Sequence, residues 1–91
     1  MSAAALPGQE IIDAGLEDLA RGNASVPALL VLIGAPRLRR LGVAVPPAPV
    51  PDPEHRLYEM LAAREGDAAH ARYNALIRRL VSYERAAACA E

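Results

Sequence analysis

Between Gln9 and Arg21, Ile12, Leu16 and Leu19 recur at helical spacing, with Ile11 and Ala20 beside them. Glu10, Asp13 and Glu17 line another face, so the segment predicts an amphipathic helix with one buried stripe. Its early acids suit the positive end of the helix dipole. Gly22-Asn23, both tolerant of left-handed backbone, supplies the stop. Ser25 then reads as an N-cap and Pro27 fits the first turn of a second helix that buries Val26, Leu29, Leu30, Leu32 and Ile33. The unbroken apolar run Ala28–Ile33 also suits a central strand on periodicity alone; the cap and the proline decide for helix. Gly34-Ala35-Pro36 is expected to break that helix, with Pro36 opening a short one through Leu41 that Gly42 stops.

Five prolines alternating with small apolar residues in Val43–Pro53 predict an extended connector. Its Pro46-x-x-Pro49 spacing matches the minimal ligand pattern of proline-binding modules, but a semi-rigid strap is the simpler reading. Asp52-Pro53-Glu54 opens a third helix to about Glu65, burying Leu57, Leu61, Tyr58 and Met60. Gly66 ends it and Asp67 caps a fourth helix, Ala68 to about Ala88. There Ala69, Tyr73, Leu76, Leu80, Tyr83 and Ala87 form a seam that Ile77 and Val81 widen. The expected fold is all-α: one small four-helix domain over residues 1–91, built of two helical hairpins, 9–41 and 53–88. A proline-rich strap, 43–53, joins them, and residues 1–8 are a flexible N-terminal segment. The fourth helix is expected to be the packing spine.

Ninety-one residues make a marginal core, and the lone Cys89 supports neither an internal disulfide nor a cysteine-rich metal site. Self-association into a homodimer is the natural way to bury more apolar surface. All ten basic residues are arginine and alanine is abundant, which reads as the codon bias of a GC-rich bacterial genome. The net charge of −1 hides alternation: residues 1–22 carry −3, 23–45 carry +3, 46–66 carry −2 and 67–91 carry +1. No signal peptide is expected from "MSAAALPGQE". The Ala28–Ile33 run is far short of the ~20 residues a bilayer takes, so a cytoplasmic protein without membrane contact is expected.

Catalytic constellations are sparse. There is no glycine-rich phosphate loop, no His-Glu-x-x-His and no histidine pair at metal-ligand spacing, so neither cofactor nor metal is expected. Cys89 has no basic neighbour closer than Arg85 to hold a thiolate. Arg64 and His70 match the loose Arg-x(4–6)-His spacing of HEPN-type ribonucleases, in which arginine stabilises phosphate and histidine moves a proton. Glu65 stands where that motif carries a polar residue, Gly66-Asp67 cuts it with a helix boundary, and no family resemblance follows. Arg37, Arg39 and Arg40 suit a nucleic-acid regulator of the helix-turn-helix kind, although the helix carrying them holds only about six residues before Gly42 and residues 23–45 offer few side chains for base edges.

On the fourth helix, Arg72 and Arg79, and likewise Arg78 and Arg85, repeat at seven residues, a pitch matched by Glu10, Asp13 and Glu17 on the first. Pairing of those rows, within the chain or across a dimer, accounts for them most simply. What remains is a non-catalytic protein–protein interaction or dimerisation module. Its expected contact residues are Leu76, Leu80 and Tyr83 in the seam, with Arg78, Arg79 and Arg85 at the rim, and its partner is a protein or a second copy.

Overall fold

A computed structural model describes residues 6–89, so most of the expected N-terminal segment, residues 1–5, lies outside the described residues. All regular structure in the described chain is helical, without a strand: α1 (Gln9–Ala20), α2 (Val26–Arg40), α3 (Pro53–Glu65), and α4 (Ala69–Cys89) entered through a 3-10 turn, Gly66–Ala68. Residues 28–33 are therefore helix. A radius of gyration of 13.1 Å sits close to the ~12 Å expected of a compact chain this long.

Local chemistry sets most of the boundaries. Ser25 caps α2 by accepting a hydrogen bond from the Ala28 amide at 3.2 Å, and its hydroxyl donates to Asp18, which ties the cap back to α1. At the end of α1, Gly22 has φ 78°; its amide bonds the Leu19 carbonyl and the Asn23 amide bonds Asp18. Gly42 ends α2 the same way, with its amide on Arg39 and the Val43 amide on Leu38. Both ends are six-residue closures in which a left-handed glycine lets orphan carbonyls find donors.

Four local expectations fail. First, α2 runs unbroken through Pro36. A proline inside a helix removes one backbone bond and costs ~3 kcal/mol. Breaking the helix there would instead release Leu38, which is fully buried in the same core as Leu29, Leu30 and Val31. Second, Asp52 makes no side-chain cap on α3; it takes a left-handed φ of 51° and its carbonyl accepts the Arg56 amide at 3.1 Å. Third, Tyr58 is 39% exposed, its ring against Tyr73 at 5.7 Å and edge-on to His70 at 6.5 Å, while Met60 is half-buried. Fourth, Asp67 lies within the 3-10 turn, whose start carries no side-chain cap.

The packing centre is α2, not α4. It packs against α1, α3 and α4, and buries Ala28, Leu29, Leu30, Val31, Gly34, Ala35 and Leu38. Two glycines make close crossings. A Cβ on Gly15 of α1 would lie 2.4 Å from the Pro27 carbonyl oxygen, and one on Gly34 would lie 2.8 Å from Leu80 Cδ1. Absence of a side chain thus lets α1 and α4 approach α2 from different sides. The strap follows the body: Val45 is buried, Val50 packs on the core, and the Arg39 guanidinium donates to the Val45 carbonyl at 3.1 and 3.3 Å.

Candidate interaction groove

The second half of α2 and the middle of α4 enclose an open groove of about 320 Å³. Ile33 from α2 and Ile77 and Val81 from α4 line it and remain half-buried. Gly34 lets Leu80 and Glu84 come down onto the α2 backbone, which forms the base of the hollow. Arg37 and Arg40, one turn apart near the end of α2, stand at one bank. Cations at a helix C-terminus face the negative end of its dipole, which favours their placement.

Glu84 is the one charged side chain buried among the described residues, at 6% exposure. Burial pushes its carboxyl above the ordinary carboxylate value, and the Arg37 guanidinium offsets part of that rise. The pair is loose, with Arg37 Nη1 3.6 Å from Glu84 Oε1 and the arginine side chain 64% exposed. Sequence reasoning passed over Glu84 because it lacks an i±4 partner on α4; its partner comes from another helix.

The expected contact residues separate into two groups. Leu76, Leu80 and Tyr83 lie inside the chain's own core, at 1%, 4% and 6% exposure, so their seam is spent within the fold and only Leu80 reaches the floor of the groove. Of the rim arginines, Arg79 pairs with Glu10 and so binds the start of α1 to α4. Arg78 and Arg85 are exposed, and neither they nor Arg40 makes an ion pair among the described residues. In the sequence, Ile77 and Val81 are the positions that widen the seam, and in the fold they line this groove.

Of the arginine cluster proposed for nucleic acid, Arg37 turns to Glu84 and Arg39 holds the strap, which leaves Arg40 unengaged. Arg64 is exposed at the end of α3 and His70 is exposed at the start of α4, with its Nε2 3.3 Å from the Asn74 side-chain nitrogen. Arg72 bridges that junction to Glu65 at 3.7 Å. Arg64 and His70 thus stand exposed on either side of the α3–α4 junction. Among the described residues no three His, Cys, Asp or Glu side chains converge as a metal site, and no helix is long and apolar enough to cross a membrane.

Two further hollows lie on the surface, the second, at about 450 Å³, larger than the groove. One of about 240 Å³ lies between the α1–α2 turn and the strap residues Pro47–Val50, so the Pro46-x-x-Pro49 stretch is laid against the body. The other, bounded by Pro7, Gly8, Arg78, Arg79 and Ser82, opens beside the start of α1. No family model matches the chain, and no curated protein or solved structure was found similar to it.

Proposed function

We propose that the chain is a non-catalytic protein–protein interaction module that receives its partner in the groove between α2 and α4. One observation carries this reading: Ile33, Ile77 and Val81 form a half-buried aliphatic strip shared by two helices, beside a hollow of about 320 Å³. Aliphatic side chains left at an open groove gain by transfer from water, roughly 25 cal/mol for each Å² covered. Such a strip between two helices is the surface on which a third helix packs. The homodimer reading and the nucleic-acid reading use the same face and compete with this one.

Site-specific photo-crosslinking in the producing cells tests the proposal. A photoreactive residue in place of Val81 is expected to give a discrete protein adduct. The same residue in place of Ala62, exposed on α3, is expected to give none. No adduct at Val81, or equal adducts at both positions, would end the docking reading.

A further inference from the structure

We infer that the occupant of the groove is an amphipathic helix of a partner protein whose apolar stripe is edged by aspartate and glutamate. The inference rests on the docking reading above and adds the chemistry of the partner. The groove has two banks. Arg37 and Arg40 stand on the α2 side. On α4, Arg78 precedes Val81 by three residues and Arg85 follows it by four, so both neighbour it on the exposed side of that helix. Arg40, Arg78 and Arg85 are exposed and unpaired among the described residues, and Arg37 is engaged only through its long contact to Glu84. The groove is thus aliphatic along its middle and cationic along its α2 edge, while Arg78 and Arg85 lie one helical turn from Val81, just outside its lining. A complementary helix carries aliphatic residues at i, i+3, i+4 and i+7 with carboxylates flanking them.

The same charges argue against a second copy. A two-fold contact of this groove on itself sets the arginine banks of one chain against those of the other, and like charges so placed oppose association. The chain's own acidic helix is not a substitute. In α1, Ile12 is buried and Ile11, Leu16 and Leu19 pack on the core, so little apolar surface accompanies its exposed acids. Glu10 is already held by Arg79. Nucleic acid fits less well again: the floor is aliphatic, with no aromatic ring on which a base would stack.

The test uses the full chain and two labelled synthetic helices of roughly five turns, identical in their leucine stripe. One is edged by glutamate and the other by lysine, and binding is read by fluorescence anisotropy. The glutamate-edged helix is expected to bind about tenfold or more tightly than the lysine-edged one, with the gap narrowing as salt rises. Reversing two exposed charges together, Arg40→Glu with Arg85→Glu, is expected to invert that order while circular dichroism shows the fold retained. Equal binding of the two helices, or an order unchanged by the reversals, overturns the inference. So does displacement of the glutamate-edged helix by a mixed oligonucleotide pool. Sedimentation as a dimer that Val81→Arg converts to monomer also overturns it, in favour of a second copy. An adduct at Val81 that survives both reversals would leave docking intact and remove only the acidic helix, whereas no adduct at Val81 removes both.

Discussion

Replacing Gly15 by alanine sets two effects of known size against each other. Alanine inside a helix is favoured over glycine by about 1 kcal/mol, so α1 taken alone would gain. In the folded chain the new Cβ would lie 2.4 Å from the Pro27 carbonyl oxygen, 2.5 Å from Val31 Cγ2 and 2.8 Å from the Pro27 carbonyl carbon. Ordinary contacts begin near 3.4 Å, so the shortfall at the carbonyl is about 1 Å. The Val31 methyl has some freedom to turn, but the Pro27 carbonyl belongs to the first turn of α2 and moves only with that helix. Relief therefore requires α1 and α2 to separate by about 1 Å, which loosens Ile12 and Val31 in the core. Overpacking of this kind costs about 1–3 kcal/mol, to which the lost packing adds. We expect a net loss of about 2 kcal/mol after the helical gain, seen as a fall in Tm of about 8–16 °C by circular dichroism. Gly34→Ala is the internal comparison. Its Cβ meets the ends of Leu80 and Glu84, at 2.8 and 2.9 Å, which can swing aside, so the change should stay within about 1 kcal/mol. A Gly15→Ala protein that melts higher than wild type would refute the close crossing of α1 and α2, and a larger loss in Gly34→Ala would mean that Leu80 and Glu84 cannot swing aside.

Three further outcomes follow from single contacts. Ser25→Ala removes the α2 cap and its bond to Asp18, and should lower stability by about 1 kcal/mol in urea unfolding. Glu84→Gln tests the buried carboxyl: its folded-state pKa is raised, so the folded chain holds that proton more tightly than the unfolded chain does. The stability it contributes is full below the ordinary carboxylate value and is lost as pH rises through the raised one. Urea midpoints should therefore show Glu84→Gln gaining on wild type as pH rises above about 4, the ordinary carboxylate value. The opposite slope would mean that Arg37 outweighs burial. Arg39→Ala frees the Val45 carbonyl and should speed limited proteolysis within residues 43–52 while changing Tm by only a few degrees, as suits a part-buried bond.

Contacts within a few residues were legible in the sequence. Ser25 as a cap, the left-handed stops at Gly22 and Gly42, and the burial of Leu57, Leu61, Leu76 and Leu80 each follow from spacing along one helix or from the backbone freedom of one residue. Those local rules are enough to make the described chain all-helical. The tertiary structure decided everything that depends on which helix lies beside which. Pro36 stays inside α2 because packing on α1, α3 and α4 outweighs one lost backbone bond. Tyr58, expected among the buried residues of the third helix, turns outward. The seam of Leu76, Leu80 and Tyr83 closes onto the chain's own core, which moves the candidate surface around α4 to Ile77 and Val81. Glu84 finds Arg37 across forty-seven residues of chain, and Gly15 and Gly34 become crossing points between helices. Periodicity specifies the face a helix buries; it carries no information on the neighbour that covers it, and the groove exists only between neighbours.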